Sequence, residues 1–290
     1  MSTTAVAGGD NRTGEPVPVN TVRSPAATGP LATLTEVLAI GGRRMRRLKR
    51  NPGRLVGITL NPLITMIALG YLFQSAIEIP GSNNYMEFIF AGVAAQVGLA
   101  SIGPTAVAVC LDLQGGLIDR FRSLPISRSA VLIGHTLADL VITLMGLVIV
   151  VGAGLLFGWR THSDPLSILA GFGLLAVFMY TMLWVGVLLG MVSKNLETIE
   201  SVSGIVAVVF SFMSNGFLSV DKLPGWIRPI AEWNPVSAVI TALRHLWGNP
   251  VTVSPSFPSE HPTAVIVISL GLLFVVTTVL SVRRYRTASA

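Results

Sequence analysis

Residues 112–129 read DLQGGLIDRFRSLPISRS, the only long polar passage between two strongly apolar segments in the first half of the chain. Leu113, Leu117, Ile118, Phe121 and Leu124 recur at three- and four-residue steps, with Asp112, Gln114, Asp119, Arg120 and Arg122 on the other faces. That is the pattern of a short amphipathic helix over 112–124. Pro125 closes it, because the residue before a proline is pushed out of the helical region. Gly115 and Gly116 work against it, each costing a helix interior about 1 kcal/mol relative to alanine. Two readings stay open: an ordinary solvated turn between two spans, or a docking element through which another protein moves this one. Which side of a membrane the stretch occupies decides the topology of everything around it.

Composition places the chain in a bilayer. Hydrophobic residues make up 51% and charged residues 12% of 290, too few charges to cover a soluble surface. The net charge of +6 does not point to nucleic acid, since the basic residues sit beside apolar runs instead of interleaving with aromatics on a polar domain. Cys110 is the single cysteine, which excludes an intrachain disulfide and a cysteine-rich metal site.

Residues 1–33 lack the apolar block of a signal peptide and read as a disordered cytosolic tail. Over 34–52, Leu34, Val37, Leu38, Met45 and Leu48 repeat at helical spacing, opposite Arg43, Arg44, Arg46, Arg47, Lys49 and Arg50. This is an interfacial helix, its leucines at the acyl boundary and its cations against anionic lipid headgroups. A transmembrane domain over 53–286 follows, with six spans expected at about 55–74, 88–110, 130–157, 166–192, 199–218 and 263–282, and 287–290 as a cytosolic tail. With the N-terminus inside, only Arg160, Lys222, Arg228 and Arg244 of the 20 Lys and Arg fall outside, leaving 16 on the cytosolic side. Both termini and the 112–129 stretch are then cytosolic.

Apart from Glu200 at the very start of the fifth span, Asp139 is the one formal charge within the spans, with His135 four residues earlier on the same face. An aspartate at this depth costs about 2.5–3.5 kcal/mol on insertion scales, so it needs a partner, either as a structural tie between helices or as part of a proton relay. Gln96, Ser211, Ser214 and Asn215, with Phe210 and Met213 close by, read as the lining of a path for a bulky amphiphile or equally as glue between helices. Gly186 and Gly190 form a small-xxx-small step for close helix contact, and Pro62 and Pro104 are expected to kink their spans.

The long connection before the last span is not formless. Asn234 followed by Pro235 reads as an N-cap with proline at the first helical position, and Val236, Val239, Ile240, Leu243 and Trp247 then make one apolar stripe. Trp226, Trp233 and Trp247 suit a membrane interface. A short re-entrant or surface-lying helical pair over 219–250 is expected to roof the outer mouth. No phosphate-binding loop, H-E-x-x-H, G-x-S-x-G or dinucleotide fingerprint occurs, so ATP-driven work must be powered by another polypeptide.

Four stretches carry a family resemblance: NPLITMIALGYLF (61–73), YMEFIFAG (85–92), DLQGGLIDRFRSLPISRSAVLIGHTLADL (112–140) and SNGFLSVDKLPGWIRPIAEWNPVSAVITALRHL (214–246). Over most of 36–286 the chain resembles the membrane-spanning subunit of ABC-2 type exporters, and is similar to the daunorubicin/doxorubicin-resistance permeases of actinobacteria. The resemblance implies an all-α integral membrane protein of six transmembrane helices. It adds an N-terminal amphipathic elbow helix, a cytosolic coupling helix, two re-entrant outer helices before the last span, and cytosolic termini. It implies two permease subunits, alike or related, and two ATP-binding subunits in the plasma membrane. ATP and Mg are then bound by the partner and no cofactor by this chain. Gly116, Asp119, Arg120, Phe121, Arg122, Leu124 and Pro125, with Arg43 and Arg47, would be the residues coupled to the ATPase subunit. The function expected is export of a hydrophobic or amphiphilic drug, antibiotic or lipid by a chain that is not itself an enzyme. The alternative is a secondary transporter or channel for a small solute, independent of ATP.

Overall fold

The computed structural model describes residues 53–72, 84–115, 128–218, 223–251 and 256–288. Every regular element among them is helical. Helix α1 (Gly53–Ile67) runs into a π-helical turn, Ala68–Leu72. Helices α2 (Tyr85–Ala100) and α3 (Ile102–Gln114) share one course, and α4 (Arg128–Leu156) and α5 (Pro165–Val192) are the longest. Then come α6 (Leu196–Phe212), the short α7 (Arg228–Trp233), α8 (Pro235–Trp247) and the single-turn α9 (Phe257–Glu260). Finally α10 (Pro262–Val265) passes through a second π-helical turn, Ile266–Leu270, into α11 (Gly271–Ala288). Elbow residues 34–52 and most of the coupling stretch lie outside the described residues.

Local chemistry sets the boundaries. Asn84, Asp164, Asn195 and Asn234 each cap a helix start by accepting a backbone N–H from two or three residues on. Pro165 and Pro235 follow at the first helical position, where the missing N–H costs nothing. Gly248 ends α8 in the left-handed region at φ +68, and a side chain there would meet His162 and Ser163. The second span is two helices, not one: Pro104 has no N–H to offer Ala100, and the course breaks at Ser101. Of the coupling stretch, Asp112, Leu113 and Gln114 form the last turn of α3, which Gly115 ends, so they extend the second span and do not begin a separate helix.

Five helical courses among the described residues are long and apolar enough to cross a membrane: Gly53–Leu72, Tyr85–Gln114, Leu132–Leu156, Pro165–Val192 and Pro262–Arg284. The expected fifth of six spans, 199–218, is shorter than predicted. Helix α6 has 17 residues, about 25 Å of rise, and stops at Phe212 because Ser214, Asn215 and Gly216 turn the chain back toward α8.

Nearly all of α2 is buried, as suits a helix apolar on every face. Around it pack α1, α4, α5, α6 and α8. Helix α5 meets α3 at Gly186 and Gly190, where any side chain would strike the backbone carbonyls of Ile102 and Ala106. At the α8 end the core is aromatic: Phe90 stacks on Trp159 at 3.9 Å between centroids, and Trp247 lies 5.3 Å from both Trp159 and Phe172. Trp247 is thus fully buried against Gly171 and not at an interface, whereas Trp226 and Trp233 are exposed.

Candidate functional site

Helix α1 leans on α2 and α4, whereas α6 leans on α2 and α3. The space left between α1 and α6 is a laterally open groove of about 440 Å³. Its floor is Gln96, Leu99 and Pro104, with Asn61 and Thr65 on the α1 wall. The α6 wall carries Glu200, Ser203 and Ser211. Small residues make the room: Gly103 lets Ser203 approach so closely that a methyl group there would come within 2.7 Å of its hydroxyl oxygen. Gln96 is 4% exposed, and its Oε1 has no hydrogen-bond partner.

Of the residues expected to line a path, Gln96 is on this groove, together with Ser211. Phe210, Met213, Ser214 and Asn215 are not among its lining residues; they form the seam with α8. Asn234 Nδ2 donates to the carbonyls of Phe210 and Met213 at 3.1 and 3.0 Å. Ser214 Oγ donates to Ser211 O at 2.6 Å and accepts from Gly216 N. Asn215 donates from its backbone to Ser237 Oγ and from Nδ2 to Thr241 Oγ1 at 2.7 Å. Ser211 and Asn215, four residues apart, do not share a helical face, because α6 has ended by Met213.

His135 and Asp139 belong to a charged cluster joining three helices. Asp139 is fully buried; Arg54 Nη2 lies 2.7 Å from its Oδ2 and Thr105 Oγ1 donates to the same oxygen at 3.0 Å. His135 Nδ1 is 3.7 Å from Asp139, and its Nε2 is 3.1 Å from Asp112 Oδ2. Asp139 is therefore not the one charge at this depth: Arg54 of α1 reaches it across 85 positions of sequence (139 − 54).

A second buried charge escaped the sequence reading. Arg244, assigned there to an outer connection, is fully buried, with its Cζ 3.6 Å over the Phe88 ring. Its Nε donates to Phe88 O at 3.0 Å and its Nη2 to Asn215 O and Gly216 O, each at 2.9 Å. One guanidinium thus ties α8 to α2 and to the turn after α6. The signal was present: Arg244 falls one turn after Ile240 and beside Leu243, on the apolar stripe of α8.

Gly116, Asp119, Arg120, Phe121, Arg122, Leu124 and Pro125, with Arg43 and Arg47, lie outside the described residues. Among the described residues no three His, Cys, Asp or Glu side chains converge on a metal-sized site.

Comparison with known proteins gives this arrangement its context. Residues 35–247 match the family model described as ABC-2 type transporter. The chain is 34% identical over 224 residues to the daunorubicin resistance ABC transporter permease protein DrrB1 of Streptomyces coeruleorubidus, covering 77% of each chain. It is 25% identical to the probable doxorubicin resistance ABC transporter permease protein DrrC of Mycobacterium tuberculosis, over 75% of this chain and 79% of that one. A putative transport permease, ycf38 of Cyanophora paradoxa, is 23% identical over 74% of this chain and 75% of its own. With several membrane-length apolar helices and these relatives, the chain is a multi-pass membrane protein of the ABC-2 type transporter family, homologous to permeases of drug-resistance exporters.

Proposed function

We propose that this chain is the membrane-spanning subunit of an ATP-driven exporter in the plasma membrane, moving a hydrophobic or amphiphilic compound out of the cell. The observation that carries the reading is the one-sided groove between α1 and α6: it has a floor and two walls but no fourth side, so a second permease, identical or related, completes it as a passage. Its size falls in the range of small-molecule sites, about 300–1,000 Å³. Helix α6 serves as the fifth of six spans, its short length supplemented by the turn that follows it. Both termini lie in the cytosol, which agrees with Lys194, whose carbonyl accepts from Gln114 at the end of α3, and with Arg283 and Arg284, next in sequence to Val282, which packs in one cluster with Val109 and Leu132.

Two copies of a separate ATP-binding subunit supply the energy and hold ATP and Mg. They dock on Gly116, Asp119, Arg120, Phe121, Arg122, Leu124 and Pro125, and on Arg43 and Arg47 of the proposed elbow helix. The charged cluster of Arg54, Asp139, His135 and Asp112 ties α3 and α4, the two helices that precede and follow that stretch in the sequence, to α1. Closure of the ATP-binding pair then moves α3 and α4 together, and the groove with them.

Inverted membrane vesicles carrying this chain and its ATP-binding partner test the proposal. ATP-dependent uptake of a fluorescent amphiphile is expected, absent without the partner, and lost in the Asp119→Ala/Arg120→Ala double variant. Uptake that needs no partner, or that persists in the double variant with the complex intact, would overturn it.

A further inference from the structure

The floor of the groove holds a feature that packing does not account for. Gln96 lies in a run of small apolar residues, AGVAAQVGLA, on the most buried helix of the molecule. Taking a carboxamide out of water without giving its oxygen a partner costs about 1–3 kcal/mol. Its neighbours in that run avoid the cost with alanine, valine, glycine or leucine. Gln96 is 4% exposed, its Oε1 is unpartnered, and it lines an open groove of about 440 Å³. An acceptor so placed is satisfied when something with a hydrogen-bond donor occupies the groove.

Charge adds a second constraint. Helix α6 runs antiparallel to α2 and α3, and Gly103 abuts Ser203, so Gln96 lies toward the Ser211 end of the groove and Glu200 toward the other. Ser211 and Glu200 are eleven residues apart (211 − 200) on α6, about 16 Å at 1.5 Å per residue. Asp139 does not add to this field, because it faces Arg54, Thr105 and His135 and is not among the groove residues.

Resting on the reading of the groove as a passage, we propose that Gln96 is its specificity-determining residue. Its Oε1 accepts a hydrogen bond from a hydroxyl or amine on an otherwise apolar cargo, while Glu200 disfavours anionic amphiphiles. The cargo class is then a donor-bearing, non-anionic amphiphile, which sets it apart from acidic lipids.

Binding to the purified full-length chain in detergent tests this without any transport assay. The probes are 9-anthracenemethanol, its methyl ether 9-(methoxymethyl)anthracene, and 9-anthracenecarboxylate, followed by anthracene fluorescence. The alcohol is expected to bind about tenfold more tightly than the ether, the worth of one acceptor that the ether leaves unpaired. Gln96→Leu should erase that preference by weakening the alcohol alone, and Gln96→Glu, which keeps an acceptor, should retain it. Glu200→Gln should improve binding of the carboxylate and leave the alcohol-to-ether ratio unchanged. If the ratio survives in Gln96→Leu, the specificity role is overturned while the passage stands. If no probe binds saturably, the passage itself fails and this inference with it.

Discussion

Arg244 carries a full charge into the interior, and among the described residues its partners are three carbonyl oxygens and an aromatic ring. Only a planar fork serves these directions at once, so lysine is not a conservative replacement. Arg244→Lys is expected to cost about 3 kcal/mol, read as a lower midpoint of thermal unfolding in detergent; an unchanged midpoint would contradict the geometry. Asp139 makes the reverse case, an acid held by a base. Asp139→Ala should cost about 3–5 kcal/mol because Arg54 loses its carboxylate and keeps only the Thr105 hydroxyl, whereas Arg54→Met with Asp139→Leu should recover most of the loss. A double variant no better than the single would show that the charges are needed for more than each other. The His135 and Asp139 pairing was legible from its four-residue spacing. Arg54 was not, because nothing local links it to Asp139. Arg244 was missed because a count of loop charges took precedence over its position on an apolar stripe.

Among the elements, α5 shows how much a start and a contact face can hold. Ser167 donates to Asp164 from both its hydroxyl and its backbone N–H, and these bonds keep the Asp164 carboxyl below its ordinary value of 3.8. A depressed carboxyl contributes stability that is present above its unfolded value and lost as pH falls through the folded one. The difference in unfolding midpoint between wild type and Asp164→Ala should therefore be flat from neutral pH down to about 5 and shrink at more acid pH. A difference that grows on acidification would refute the cap. Further along, Gly186→Val would drive a branched side chain into the Ile102 carbonyl on α3, and a loss of about 1–3 kcal/mol is expected in the same melt. The starts of α5 and α8 were readable because Asp-Pro and Asn-Pro are local chemistry. The end of α6 was misread because apolar residues continue past Phe212, and the Ser-Asn-Gly turn at 214–216 weighs less in a hydropathy count than in the backbone.

For the molecule as a whole, the proposed pairing of two permeases is expected to bring the second one against the groove. Cys110 is buried, so an added surface cysteine is the one that reacts. Ile205→Cys, on the bare outer side of α6 beside the groove, is expected to form disulfide-linked pairs in native membranes. Leu272→Cys, comparably exposed on α11, is expected to stay single. Equal cross-linking at both sites would dismiss α6 as the meeting face. The membrane class and the helical order were legible because they depend on composition and on repeats within one segment. The groove was not, since it is made by two helices failing to touch. The break at Ser101 gives this architecture a wrist. On one side of it α2 is locked to α8 and the turn after α6 by Arg244 and by Gly92 against Gly216, and on the other α3 is locked to α4 by Thr105 and Asp112. Under the proposed coupling, a twist applied to α3 is expected to be taken up at the joint, beside the groove, without prising α2 from α8. Pro104→Ala, which returns the missing amide, should weld the two halves into one rod, raising the melting point while slowing turnover.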